Sequence, residues 1–344
     1  MTSQHSHRKD EHVSLAEKFY QPVDNSFAGV RFVNASLPKY RLDDIDLTTQ
    51  LGSLSLTTPF YIEAMSGGSP RTKEINRRLA VVAKACGLAM AVGSQSVGLS
   101  DPEVRDSFSI VRQTNPNGIV LANIGANHSV EDAQKAVEMI AADALELHIN
   151  VAQELVMPEG DRGFHFIDNI QAIIANVGVP VIVKEVGFGM SQATISQLVD
   201  LGVKYVNVGG HGGTNFAAIE NFRRSSKDMA YLTDWGLSTV ESLFEARAFS
   251  DRLGIIAAGG VKSPLDVAKC LTLGASAVGV AGYWLHEIIH KSDNEIIDDV
   301  REWQYGLKTI MLMLNCRTVA DLQRQRLILD PQLLSYLKQR KLAY

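Results

Sequence analysis

The sequence predicts an α/β fold, a (β/α)8 TIM barrel, and three observations predict it. Eight short apolar runs recur along the 344 residues, with helix-forming sequence between them. The runs are unbroken rather than alternating, as expected for parallel strands covered on both faces. Eight strand-helix units in roughly 250 residues match the size of such a barrel. A doubly wound open sheet is the alternative.

The eight expected strands are Phe60 to Ala64, Gly87 to Val92, Gly118 to Asn123, Ala144 to Asn150, Pro180 to Glu185, Val203 to Val208, Ile255 to Ala258 and Ala275 to Ala281. Between them lie segments with helix signals. Ser129 to Asp143 has an N-cap serine, early acids and apolar residues at helical spacing, and Ser263 to Gly274 opens on a cap followed by proline and stops at glycine. Residues 1–55 form an N-terminal extension, with a short helix expected at Ser14 to Tyr20 and a loop with edge strands from Phe27 to Asp46. The connection Gly209 to Gly254 is too long for a turn and reads as a lid or a subunit contact. Residues 56–293 are the barrel, and 294–344 read as two helices packed outside it. No low-complexity linker divides the chain, so one domain over residues 1–344 is expected.

Composition narrows the function classes. The chain is 46% hydrophobic and 21% charged, ordinary for a protein with one large core. Lys plus Arg total 33 against 38 Asp plus Glu, a net charge of −5, so there is no general attraction to nucleic acid or to anionic lipid. Any anionic ligand must therefore be met by local cations. Cys86, Cys270 and Cys316 are far apart and lack CxxC spacing, which argues against zinc and against a disulfide framework. With no apolar run near the ~18 residues of a membrane span and a polar N-terminus unlike a secretory signal, the cytoplasm is the expected location.

In a barrel, chemistry gathers where strands end. The stretch ELHINVAQE puts His148, Asn150, Gln153 and Glu154 together at the end of the fourth strand, and MPEGDRGF follows with Gly160 and Gly163 marking a tight loop. Unlike polar groups crowded there suit a ligand; the alternative is a solvated turn. Strands seven and eight run into AAGGVKS and GVAGYW, where glycines let backbone N–H groups approach a phosphate at a helix N-terminus. Together they point to a phosphate-bearing cofactor. EAMSGG, GSQS and ANIGA at the first three strand ends offer small residues and amides suited to a flat heterocycle. Lys184 lies in an otherwise apolar run and needs an anion, either a ligand or a neighbouring Glu185 or Glu154.

These pieces together resemble the type 2 isopentenyl-diphosphate isomerases, which use FMN on a (β/α)8 barrel. The resemblance runs in order from RKDEH (Arg8 to His12) through EAMSGG, GSQS, ANIGA, LHINVAQELVMPEGDRGF, PVIVKEVGFGMS, GGHGGTNF, DWG, AAGGV and VAGYW. It implies isomerisation of isopentenyl diphosphate to dimethylallyl diphosphate with reduced FMN and Mg2+, NADPH serving only to reduce the flavin. A proton is added at the terminal methylene and another leaves C2, and an electron-rich flavin stabilises the positive character at C3. By the same resemblance, Ala64, Met65, Ser66, Ser94, Asn123, Lys184, Thr214, Gly259, Gly260, Ala281 and Gly282 bind FMN. Lys184 stabilises negative charge at N1 and C2=O of the reduced ring. Gln153 touches the substrate and relays protons, Glu154 holds Mg2+ on the diphosphate, and His148 and Asn150 line the substrate side. Arg8, Lys9 and His12 fold over the site and neutralise the diphosphate. A homotetramer is implied as well.

Two positions depart from the family pattern. Some relatives carry arginine where this chain has Ser96, and many have tyrosine at His211. The nearest rival is an FMN-dependent 2-hydroxy-acid oxidase, which needs His-Gly-x-Arg after strand six; here His211 is followed by Gly212, Gly213 and Thr214. Nucleotide dehydrogenases with a cysteine nucleophile fail because no cysteine lies on a barrel-mouth loop. A non-catalytic flavin-binding barrel has no use for the set Gln153, Glu154 and Lys184.

Overall fold

The computed structural model describes residues 4–21 and 27–344. Its centre is a closed ring of eight parallel strands: β1 (Phe60–Ile62), β2 (Met90–Ala91), β3 (Val120–Gly125), β4 (Ala144–His148), β5 (Val181–Lys184), β6 (Tyr205–Asn207), β7 (Gly254–Ala258) and β8 (Ala277–Val280). Neighbours in sequence are neighbours in the ring, and β8 closes on β1 through Val278 opposite Phe60. The expected (β/α)8 barrel is therefore the fold, and the open sheet is excluded.

Six of the eight strands are shorter than the apolar runs that announced them, while β3 is shifted toward its C-terminal end and β7 starts one residue earlier, at Gly254. Gly87 has φ +68° and caps the helix Pro70–Cys86, so β2 begins only at Met90. Both capped helices form: Val130–Ile140 after Ser129, and Pro264–Thr272 after Ser263, each serine accepting from the N–H three residues on.

Outward residues such as Ile62, Val92, Val120, Leu145, Val183 and Val206 pack under the surrounding helices in the main core. Inward residues alternate with them. The lower barrel interior is a second apolar cluster of Tyr61, Ala91, Leu121, Ala144, Ile182, Ile256 and Ala277, joined by Leu51 and Leu56 of the antiparallel hairpin Thr49–Leu51 and Leu54–Leu56. This hairpin shuts the bottom of the barrel. The upper interior is polar and opens into the site.

Outside the barrel, the helices at both ends of the chain differ from expectation, and the long connection takes a definite form. The N-terminal helix spans Gln4–Lys18 rather than starting at Ser14. Its early turns are charged and poor in apolar residues, and they are held by contacts to the barrel, which local propensity does not report. The connection after β6 holds an ordinary crossover helix, Thr239–Arg247, and an extra helix, Phe216–Arg223, that packs on both Val151–Val156 and the N-terminal helix. The tail is more than two helices. Asp293–Met313 packs on Pro264–Thr272 and Pro70–Cys86, and Val319–Leu322 and Pro331–Arg340 flank a strand, Leu327–Leu329, that pairs with Val30–Phe32. No helix among the described residues is long and apolar enough to cross a membrane.

Candidate active site

A cleft of about 880 Å³ opens at the C-terminal mouth of the barrel. The residues expected to bind cofactor, substrate or metal line it: Arg8, Lys9 and His12 from the N-terminal helix; Ala64, Met65, Ser66, Ser94 and Asn123 from the first three strand ends; His148, Asn150, Gln153 and Glu154 after β4. Lys184, Thr214, Gly259, Gly260, Ala281 and Gly282 complete the wall. Gathering residues from every barrel strand end and from a distant terminus into one cavity is what the fold does for function.

On the floor, Lys184 is buried and lies 3.6 Å from Glu63, so neither Glu185 nor Glu154 is its counter-ion. Glu63 and Tyr61 come from β1 and its end, Glu146 from β4 and Asn207 from β6, all buried. Tyr61 Oη lies 2.8 Å from Glu63 Oε2 and 3.0 Å from Glu146 Oε1, and Asn207 Nδ2 donates to Glu63 Oε2 at 2.6 Å. The phenol has one proton, so one carboxyl must supply its own. Burial and then the Glu63 charge push the Glu146 pKa well above the carboxylate range, so Glu146 is the protonated one. Its Oε2 is buried without a hydrogen-bond partner, which a neutral acid tolerates far better than an anion. Burial also works against charge on Glu63, but Lys184 foremost, with hydrogen bonds from Glu146, Ala64 N–H and Tyr61, holds it below the usual value. Lys184 behaves likewise: desolvation is outweighed, chiefly by Glu63, and its pKa lies above that of an ordinary lysine.

Around this floor, polar groups are fixed by short bonds. Asn123 Oδ1 accepts from His148 Nδ1 at 2.7 Å, and burial, with Lys184, Lys9 and His128 nearby, lowers His148 to about 3. It is a neutral imidazole at pH 7. Glu185 turns away from the cleft floor to accept from the N–H groups of Val186, Gly187 and Phe188 at 2.6, 2.8 and 2.6 Å. Burial pushes it up to about 7, those donors and Lys184 opposing the rise.

Asn150 precedes the helix Val151–Val156, on which Gln153 and Glu154 sit. Asn150 Nδ2 donates to Glu154 Oε1 at 2.9 Å, and Asp161 N–H donates to Glu154 Oε2 at 2.7 Å, so the carboxylate is oriented from both sides. Gly160 is required by packing: a β-carbon there would lie 2.0 Å from the Glu154 carbonyl oxygen. Gly163 has no such neighbour.

A residue absent from the sequence reading ties this helix to the N-terminus. Glu220, fully buried on Phe216–Arg223, accepts from Gln153 Nε2 at 3.3 Å, and its Oε1 lies 2.9 Å from His12 Nε2. Arg223 binds Glu220, Glu159 and Glu11 at 2.6, 2.6 and 2.9 Å. Burial raises the Glu220 pKa, but His12 and Arg223 outweigh it and keep the group below the usual range. Lys9 Nζ donates to Ser94 O at 3.2 Å, and burial followed by Arg8 pushes Lys9 down to about 8. Arg8 Nε is buried with no hydrogen-bond partner, a donor suited to an incoming anion. A lone acid inside AAIENF was the only sequence signal for Glu220, and polar residues within the runs FYIE and ALELH were the only signals for Tyr61, Glu63 and Glu146.

The loops after β6, β7 and β8 converge. Gly259 and Gly260 have φ +103° and +74°, and a β-carbon at Gly259 would lie 2.0 Å from Gly210 O. A β-carbon at Gly282 would lie 3.6 Å from Thr214 Oγ1, so the hydroxyl faces the first turn of the helix Gly282–His290. Backbone N–H groups, a hydroxyl and a helix N-terminus make a cradle for a phosphate. The two departures are also placed. Ser96 Oγ lies 3.0 Å from Ser94 Oγ and 2.8 Å from His128 Nε2, with His128 Nδ1 3.1 Å from Asp132. His211 Nε2 lies 3.3 Å from Thr233 O, turned onto the connecting loop.

Residues 98–329 match the model of the FMN-dependent dehydrogenase family, and the chain is a member of that class of flavin barrels. Solved structures agree on the fold: a flavocytochrome b2 variant with pyruvate bound superposes with a TM-score of 0.67 at 20% identity, covering 96% of this chain and 84% of that one. A mandelate oxidase carrying a monooxide FMN adduct gives 0.65 at 15% identity, covering 93% and 92%. Much greater similarity is found to isopentenyl-diphosphate delta-isomerases. The Latilactobacillus sakei enzyme is 52% identical over 98% of this chain and 97% of its own length, and that of Limosilactobacillus reuteri 49% identical over 99% of each. The Staphylococcus haemolyticus enzyme is 48% identical over 98% of this chain and 97% of its own. The chain belongs to the isopentenyl-diphosphate delta-isomerase family.

Proposed function

We propose that this chain converts isopentenyl diphosphate to dimethylallyl diphosphate, with reduced FMN held at the barrel mouth, Mg2+ on the diphosphate, and NADPH as the source of electrons that keeps the flavin reduced. The observation that carries the reading is the single cleft in which a phosphate cradle, a buried lysine, a polar Gln153–Glu154 pair and three cationic or basic N-terminal side chains meet.

The residues present fit FMN. Thr214, Gly259, Gly260 and Gly282 suit its phosphate, and glycine at 259 lets this loop pack against Gly210 O while its backbone stays at the cleft wall. Small groups at Ala64, Ser66 and Ser94 leave room for a flat ring above Lys184. When bound, reduced FMN supplies an electron-rich face that stabilises positive charge at C3 of the substrate and a site for proton exchange. The Lys184 cation, kept charged by Glu63, would stabilise negative charge on that ring. Glu154 fits Mg2+, which takes one or two carboxylates plus substrate phosphate oxygens and keeps several waters.

The rest is done by side chains of the chain. Arg8 Nε and the Lys9 ammonium neutralise the diphosphate, which answers how a protein of net charge −5 binds an anion. Ser96, its hydroxyl bonded to His128, stands where some relatives carry arginine. Gln153, its amide bonded to Glu220, would touch the substrate and relay protons as one is added at the terminal methylene and another leaves C2. His148 stays neutral and adds no charge near C3. Glu220 acts through Gln153 and His12 and is a positioning residue. The reading carries with it a cytoplasmic homotetramer; exposed Tyr231 and Trp235 on the β6–β7 connection suit a subunit contact.

A 2-hydroxy-acid oxidase shares the barrel but needs an arginine where Thr214 stands and a free histidine base where His211 is turned onto Thr233 O. The test is direct. Anaerobic holoprotein reduced by NADPH or dithionite isomerises isopentenyl diphosphate only with Mg2+ present, as followed by proton NMR of the C5 products. Gln153→Ala cuts turnover far more than flavin retention. Oxidation of a 2-hydroxy acid with peroxide release, and no isomerisation, would overturn the reading.

A further inference from the structure

Helix Gly282–His290 carries the run His286-Glu287-Ile288-Ile289-His290, which sets two imidazoles one turn apart on one helix face. The third member comes from the N-terminal helix. Glu17 Oε1 lies 2.9 Å from His286 Nδ1 and 2.7 Å from His290 Nε2, with Oε2 3.1 Å from His286 Nδ1. The two rings are 4.6 Å apart between centroids, and one donor atom from each of the three residues falls within a 4.8 Å span. Tyr20 stacks on His286 at 4.3 Å and 14°, fixing that ring.

We propose that Glu17, His286 and His290 form a second metal site, for a zinc-class divalent ion, that clasps the N-terminal helix to the barrel. Two imidazoles and one carboxylate suit Zn2+ and its neighbours, whereas Mg2+ prefers an all-oxygen shell. A tetrahedral ion with ligand bonds of about 2.0–2.2 Å keeps its ligand atoms roughly 3.4 Å apart, so the oxygen–nitrogen distances of 2.9 and 2.7 Å widen by about half an ångström or a little more, and the two nitrogens already lie within 4.8 Å of one another. Each imidazole would bind the ion through the nitrogen that faces Glu17 and carry its proton on the other ring nitrogen, so both ligands stay neutral and no electron moves. A fourth position stays open to water, since the site is partly exposed.

The role follows from the placement. Glu287 occupies the position of the general base in zinc hydrolases with this spacing, but it is paired with Lys291 at 2.6 Å, and Lys291 is paired again with Asp299 at 2.6 Å. The site is therefore read as a clasp and not as a hydrolase. Glu17 lies five residues beyond His12, about 7.5 Å along the same helix. Fixing its end fixes the segment that carries Arg8, Lys9 and His12 over the cleft. The inference is independent of the proposed reaction, because a barrel of any activity would keep or lose this ion alike.

The test uses untagged FMN holoenzyme, stripped with EDTA and dialysed against Zn2+ in excess Mg2+, with metal content measured by mass spectrometry. One Zn2+ per chain is expected, with affinity falling roughly tenfold or more in His290→Ala and in Glu17→Gln. Zn2+ is also expected to slow proteolysis within residues 4–21 severalfold in the wild type and not in either variant. No retained zinc, or equal retention by all three proteins, overturns the site. Binding without protection overturns the clasp.

Discussion

The buried pair Lys184–Glu63 makes a quantitative demand on stability. At 3.6 Å and an effective dielectric of about 20, its Coulomb attraction is 332/(20 × 3.6), or about 4.6 kcal/mol. Removing one partner of a buried pair and stranding the other costs about 3–5 kcal/mol. Glu63→Gln in FMN-free protein is therefore expected to lower the thermal midpoint by roughly 6–10 °C, taking about 2 °C per kcal/mol for a chain of this size. Lys184→Met costs less, because Tyr61, Asn207 and the Ala64 N–H still bond Glu63, which can also take up a proton. The double variant removes both charges and is expected to recover most of the loss, giving a coupling of about 2–4 kcal/mol. Glu146→Gln serves as the internal control, since a neutral amide replaces an already neutral acid and the midpoint should move by less than about 2 °C. Strictly additive Glu63→Gln and Lys184→Met effects, or a Glu146→Gln loss as large as that of Glu63→Gln, would refute this assignment of charges.

Other perturbations test the walls of the cleft. Gly160→Ala drives a β-carbon against the Glu154 carbonyl, so the Mg2+ concentration giving half-maximal turnover should rise about tenfold or more while flavin content holds; an unchanged Mg2+ titration would remove Glu154 from the metal. Because Lys9 is lowered to about 8, kcat/KM should decline above that pH as the cation is lost, and Lys9→Arg should carry the plateau higher; identical alkaline limbs would refute the assignment. Glu185 is raised from 4.5 in the unfolded chain to about 7, so its contribution is fully present below pH 4.5 and is lost as pH rises through 7. The loss amounts to roughly 3 kcal/mol. Urea titrations of Glu185→Gln should lack that decline, and a parallel decline in both proteins would count against it.

How much of this was legible without coordinates depends on whether a residue's role is local. Strands covered on both faces advertise themselves as apolar runs, and Ser129 and Ser263 mark their helices because a cap bonds within its own turn. Gln153 and Glu154 were legible through a specific motif. Glu63, Glu146 and Asn207 were not, because each is a single polar residue inside an apolar run, and only ring closure shows that three strands point them at one spot. The N-terminal helix was half hidden for the same reason. Its first turns are held by Ser94, Glu220 and Arg223, which lie far along the chain.

The polar floor and the N-terminal helix solve one electrostatic problem from two sides. A diphosphate and a reduced flavin both bring negative charge into a protein that already carries −5, so cations must be concentrated at the mouth. A lysine on the floor would lose its proton on burial, and Glu63 prevents that. Glu63 alone would invite a second anion at Glu146 to repel it, and the proton on Glu146 prevents that in turn. The floor thus stays neutral overall while presenting one fixed cation upward. Arg8 and Lys9, by contrast, sit on the terminal helix, which is held through His12, Glu11 and Glu17 to Glu220, Arg223 and the His286–His290 pair. On the proposed reading, the charge on the barrel floor would serve the cofactor, and the charge on the terminal helix would serve the substrate. Cutting its outer tether, as in Glu17→Gln, should therefore raise KM for the diphosphate more than it lowers kcat, with flavin retention unchanged; a fall in kcat alone would place that helix in the chemistry and not in capture.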